Sequence, residues 1–168
     1  MLKKVLLCFL VVIFTTPVLA EKQTAKDDWK VRSGVRFGYA YLHKGGDLDK
    51  LHSPHMLLLG FEFQQTLDGG EWLDVLFVQN VSVVGLDQSI FAPSASLLVG
   101  FEFADRLQLA LGANIAAFDP AEEDNYVHVV AAMGYTEQVG IFSLPVHVTY
   151  IPDVNGYWRM GVSTGVNW

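Results

Sequence analysis

From Trp29 to Trp168 the chain alternates, residue by residue, between large apolar side chains and small or polar ones. A period of two marks β-strands whose two faces meet different surroundings. The first such segment sets Trp29, Val31, Ser33, Val35, Phe37, Tyr39 and Tyr41 on one face. Lys30, Arg32, Gly34, Arg36, Gly38 and Ala40 fall on the other. Seven further segments follow, at roughly 54–65, 71–85, 92–103, 107–118, 126–136, 140–151 and 157–168. None sustains a helical period. Lys44-Gly45-Gly46-Asp47, Asp68-Gly69-Gly70, Asp119-Pro120 and Pro152-Asp153-Val154-Asn155-Gly156 punctuate them as turns. The pattern predicts an all-β, eight-stranded antiparallel meander.

Leu57-Leu58-Leu59-Gly60-Phe61-Glu62-Phe63 recurs forty residues later as Leu97-Leu98-Val99-Gly100-Phe101-Glu102-Phe103, with a weaker echo at Val129–Tyr135. These copies end alternate strands, as a meander would have it; a propeller of such blades needs more chain. The more polar face is crowded with small residues, among them Gly34, Gly38, Gly60, Gly100, Ala110 and Gly134. A water-facing surface would carry Lys, Glu, Thr and Gln instead. Small residues suit the narrow interior that eight strands close around. The apolar face then looks outward into lipid.

The aromatics support that orientation. Trp29, Phe61, Phe63, Phe101, Phe103, Tyr135, Phe142 and Trp168 fall toward one rim, and Tyr39, Tyr41, Phe91, Tyr150 and Trp158 toward the other. Two belts are what the two bilayer interfaces select. Gln79 interrupts the outward face and marks either a bulge or a register slip. Connections at one rim are short, with Ala104-Asp105-Arg106 nearly a three-residue turn. Those at the other, about 43–53, 86–91, 119–125 and 152–156, are longer.

Composition fits a membrane barrel. Of 168 residues, 51% are apolar and only 17% charged, against disorder and against an ordinary cytosolic enzyme. The net charge of -7 argues against a nucleic-acid partner. Lys3 and Lys4, the apolar run Val5–Phe14 and the compact Val18-Leu19-Ala20 read as a cleaved secretory signal peptide, residues 1–20. Residues 21–28 form a short periplasmic segment and 29–168 the barrel. Cys8, the one cysteine, leaves with the signal, so no thiol chemistry or disulfide remains.

The alternation in eight segments, the leader and the terminal run Trp158, Met160, Val162, Thr164, Val166, Trp168 resemble the small eight-stranded outer-membrane β-barrels, the group of OmpX and the OmpA transmembrane domain. The resemblance implies an up-and-down transmembrane β-barrel in the outer membrane of a Gram-negative bacterium. It also implies that the terminal run is the signal read by the barrel-assembly machinery.

In this register the lumen holds Lys30, Arg32, Arg36 and Arg159 against Glu62, Asp74 and Glu102. Buried charges must pair. Arg32 and Arg36 are expected beside Glu62, with Arg159 on the closing strand, as a salt-bridge plug or a narrow ion path. With the turn between strands six and seven placed near Glu137 and Gln138, His128 and His147 point inward, almost opposite each other. They are read as hydrogen-bonded lumen residues, or as a metal or proton-switch pair. The acidic loop residues Asp47, Asp49, Asp87, Asp119, Glu122, Glu123, Asp124 and Asp153 give a soluble surface, or bridge to lipopolysaccharide through divalent cations.

Two other readings stay open. His147-Val148-Thr149 loosely resembles the His-x-Ser element of PagL-type lipid A deacylases, but Thr replaces Ser and no Glu follows Glu137. A periplasmic lipocalin-like binder would reverse the two faces. The expectation is a non-catalytic, monomeric barrel with a closed or very narrow polar lumen. Its role is structural or surface-interacting, it needs no cofactor or metal, and it contacts outer-membrane lipids and lipopolysaccharide.

Overall fold

The computed structural model describes residues 29–43, 53–117, 127–152 and 158–168. The signal peptide, the segment 21–28 and all the acidic loop residues except Asp87 lie outside them. Eight strands run in chain order: β1 Trp29–His43, β2 His55–Leu67, β3 Leu73–Val84, β4 Ala92–Phe103, β5 Leu107–Ala116, β6 Val127–Val139, β7 Phe142–Pro152 and β8 Trp158–Asn167. Each pairs antiparallel with its sequence neighbours, and β8 returns to β1, closing the barrel. Closure leaves no edge strand, so each strand has a hydrogen-bonding neighbour on both sides.

The two faces are those the alternation predicts. Leu111 and Val129 are 63% exposed on the outside, while Leu76 and Val130 are 1% exposed within. Water would not leave such an outer surface uncovered; acyl chains solvate it. The lipocalin-like alternative, with these faces reversed, is overturned. Aromatic contacts gather at both rims. Trp158 packs against Tyr41 (5.5 Å), Tyr150 (6.0 Å) and His43 (4.7 Å) at one, and Trp168 packs against Phe61 (6.4 Å) and Trp72 against Phe103 (6.3 Å) at the other.

Turns at the second rim are tight. Phe103-Ala104-Asp105-Arg106 closes with Arg106 N donating to Phe103 O at 3.0 Å, Ala104 and Asp105 both taking positive φ (49° and 58°). Such a pair of left-handed residues matches the twist of a hairpin. Asp68 Oδ1 accepts from Gly70 N, and Asp74 Oδ1 from Gly69 N, to hold the β2–β3 turn. At the opposite rim a single 3-10 turn, Leu86–Gln88, lies between β3 and β4. There Asp87 Oδ1 accepts from Leu57 N at 2.8 Å. Asp87 therefore ties its loop to β2.

Three expectations need correction. Gln79 marks neither a bulge nor a slip: its pairing with Phe63 and Leu97 continues an unbroken register, and it sits on the outward face. The β6–β7 turn is at Gly140-Ile141, because β6 runs on through Glu137 and Gln138 to Val139, which pairs with Phe142. Finally, the lumen is not polar throughout. Leu76, Val78, Leu98, Ala110 and Val130 form an apolar band across its middle, and Asn80, Ser82, Ser94, Ser96 and Asn114 line the interior beyond them toward the long-loop rim.

Candidate functional site

The lumen has a charged layer at the short-turn rim, the apolar band above it, and beyond that a polar layer in which Asn114 Nδ2 donates to Ser94 Oγ at 2.7 Å and Ser96 Oγ at 2.9 Å. In the charged layer, Arg36 on β1 pairs with Glu62 on the adjacent β2, both nearly fully buried. Arg32 does not join them. Its Nη1 reaches across the axis to both oxygens of Glu102 on β4, at 2.9 and 3.1 Å. Glu102 is wholly buried and also accepts from Gln64 Nε2 (3.1 Å) and Gln108 Nε2 (2.5 Å). A carboxylate held this way has its lone pairs filled, which is what makes a buried ion pair tolerable.

His147 links the two ion pairs. Its Nε2 lies 3.0 Å from Gln108 Oε1 and its Nδ1 lies 3.4 Å from Glu62 Oε2. The imidazole fits because Gly134 is opposite it in the ladder: a Cβ there would stand 2.3 Å from His147 Cδ2. The network thus runs Arg36–Glu62–His147–Gln108–Glu102–Arg32, crossing from β1 through β2, β7, β5 and β4. Gln64 and Gln108 went unnoticed in the sequence, although each shares the inward parity of its strand.

At the rim itself, Lys30 Nζ bridges Asp74 (3.3 Å) and Asp105 (2.8 Å). Asp74, Glu102 and Asp105 bring carboxylate oxygens within 4.8 Å of one another. The protein's own Lys30 and Arg32 meet that convergence of charge. The hydrogen bond from Lys30 holds the Asp105 carboxyl below its ordinary value, with burial opposing and the Lys30 and Arg32 charges assisting. In this charged layer, Lys30, Arg32 and Arg36 match Glu62, Asp74 and Glu102 in number.

Arg159 faces the lumen but lies toward the long-loop rim. It pairs with Leu42, whereas Arg36 pairs with Gly165, six positions along β8. The two histidines are likewise separated: His128 pairs with Asn114 and His147 with Gly134, so they are not opposite each other. The cause is the turn at Gly140 rather than at Glu137. His147 lies in the floor of the cavity above the charged layer, and Thr149, two residues on, also lines the interior. The His147-Val148-Thr149 element therefore presents neither polar group to lipid.

Above the network lies a cavity of about 140 Å³. Glu62, Gln108 and His147 form its floor; Leu76, Leu98 and Val130 are on its walls; Leu42, Met56 and Arg159 stand at its upper end.

A closed sheet with acyl-facing walls, aromatic rims and a charge-filled base decides the architecture. This chain is a transmembrane eight-stranded β-barrel of the outer-membrane type. No protein-family model and no curated protein matches it. Among solved structures it is similar to the Yersinia pestis outer membrane protein Ail in phospholipid bilayer nanodisc, at 16% identity and TM-score 0.44. That match covers 81% of this chain and 99% of the other. A second Ail structure, in complex with the heparin analogue sucrose octasulfate, gives 14% identity and TM-score 0.44 over 83% and 99%. A de novo designed transmembrane β-barrel gives 12% identity and TM-score 0.42 over 82% and 93%. The assignment rests on the closed register and the outward face rather than on these likenesses.

Proposed function

We propose that the protein is a monomeric outer-membrane barrel that presents its longer connections at the cell surface and neither conducts nor catalyses. It sits in the outer membrane of a Gram-negative envelope, solvated by phospholipid and lipopolysaccharide. The barrel-assembly machinery inserts it through the terminal strand Trp158 to Trp168. The observation that carries the reading is the paired network across the lumen. Arg32–Glu102, Arg36–Glu62 and the His147–Gln108 bridge occupy the bore of a barrel that has little width to spare. A pathway for ions would have to break pairs that cost several kcal/mol each to separate. What remains for function is the outer rim and its loops.

Fractionation tests the location: the protein should partition with the outer membrane and migrate faster in unboiled than in boiled gels. Recovery in the soluble periplasm overturns the reading. Purified barrel in planar bilayers should be electrically silent, and stepwise conductance overturns the plug. Lipid A from deletion and overexpression strains should keep its acylation pattern. A lost or gained acyl chain would establish an enzyme.

A further inference from the structure

In the polar layer one buried group is left unmet. Asn80 on β3, Ser96 on β4 and Asn114 on β5 stand on one register row, and Ser82 and Ser94 pair on the next inward row. All five side chains line the cavity. Asn114 is 2% exposed. Its Nδ2 donates to Ser94 Oγ at 2.7 Å and to Ser96 Oγ at 2.9 Å, which uses both amide protons. Its Oδ1 is buried and has no hydrogen-bond donor among the described residues. Turning the amide over exchanges an orphan acceptor for an orphan donor, so one end of it is unmet either way. A buried amide end left unpaired costs free energy, and native interiors rarely leave one so.

The chemistry left to an occupant is narrow. Ser94 and Ser96 accept from Asn114, so what they still offer is a hydroxyl proton each, beside the Asn114 oxygen. A hydrocarbon tail satisfies neither donor nor acceptor. A cation meets the hydroxyl protons, and an anion meets the negative end of the amide. Water donates and accepts at once. One molecule needs about 10–15 Å³ and two or more polar partners, and the cavity has about 140 Å³. We propose that the polar layer binds structural water, with one molecule donating to Asn114 Oδ1 and accepting from the neighbouring serine hydroxyls. The same cavity is dry against Leu76, Leu98 and Val130, since apolar walls give water no partners. A lipid tail entering the barrel would have to displace this water and strand the amide.

The probe is water itself, with the full barrel in phospholipid nanodiscs. Water protons should give Overhauser contacts to the carboxamide protons of Asn114 and none to the methyls of Leu76, Leu98 and Val130. Water contacts at those methyls overturn the dry band. Acyl-chain contacts at Asn114 in place of water contacts overturn the site. Proton exchange through the serine hydroxyls can relay such a signal, so the measurement is repeated in the double variant S94A with S96A. Bound water keeps the Asn114 contact there, and its loss overturns the proposal. Water-oxygen relaxation dispersion supplies an independent reading, because it counts long-lived internal waters. Asn114→Leu keeps the side chain's size and removes the amide, and should lower the dispersion by the share of at least one water. Asn114→Val replaces it should the leucine variant not give a heat-modifiable barrel. An unchanged dispersion in a folded variant overturns the site.

Discussion

Ser33 and Trp168 exchange two backbone hydrogen bonds, Trp168 N donating to Ser33 O at 2.9 Å and Ser33 N donating to Trp168 O at 3.1 Å. The last residue of the chain is thus part of the seam that closes the barrel, beyond the end of β8. Deleting Trp168 removes both bonds and the ring packed on Phe61. The expected loss is about 1–3 kcal/mol, read as an earlier denaturant midpoint by tryptophan fluorescence in detergent. Trp168→Phe keeps the backbone pair and should lose much less. Equal losses would assign the effect to the indole.

Glu102 is fully buried and accepts from Arg32, Gln64 and Gln108. Glu102→Gln leaves Arg32 without its counter-charge and should cost about 3–5 kcal/mol. The double change Arg32→Met with Glu102→Leu removes both charges and should recover most of that. Equilibrium unfolding of the three barrels checks the order.

Gly134 makes room for the His147 ring. Gly134→Ala should push the imidazole off Gln108 and Glu62, at about 1–3 kcal/mol for the unsatisfied partners. The ring proton resonances of His147 should shift with it. Gly140→Ala is the control. It strains a turn residue with φ of 64° and should cost about 1 kcal/mol, with the His147 resonances unmoved.

Asp105 titrates below its ordinary value because Lys30 hydrogen-bonds its charged form. Its folded pKa is the lower one, so the contribution is present above the unfolded value and is lost as pH falls through the folded value. The window is therefore below about pH 4. More than half of the Asp105 side chain is exposed, so the increment is well under about 1 kcal/mol. Asp105→Asn should remove it, and stability measured from pH 6 down to pH 3 should show a shallower fall in the variant. Salt should narrow the difference between the two.

Leu111 lies on the outer wall, 63% exposed. Leu111→Arg should cost about 2–4 kcal/mol when the barrel is unfolded from a bilayer. A cost near zero would place this face in water.

Strand number, strand direction and outward face were all legible from alternation alone, because each depends only on parity along one strand. The β6–β7 turn was not. Thr136, Glu137 and Gln138 look like a polar turn, yet the chain reverses where Gly140 accepts positive φ. Partner choice inside the lumen was hidden for another reason. Glu62 is the near neighbour of strand one, but strand tilt around a closed barrel carries Arg32 across to Glu102, and no pairwise strand reading includes that stagger. Gln64 and Gln108 were findable by the same parity that placed Glu62 and Glu102. The apolar band across the lumen escaped because alternation sorts a strand only when its faces differ. Leu76 and Val78 face inward, Val75 and Phe77 outward, and all four are apolar.

That doubleness in β3 has a consequence before the barrel exists. Residues 75–86 contain no charged side chain at all. An unfolded stretch this rich in valine and other greasy residues is the kind that self-associates in water. Until the barrel closes, β3 is therefore the strand with most to lose from meeting a second unfolded copy in water.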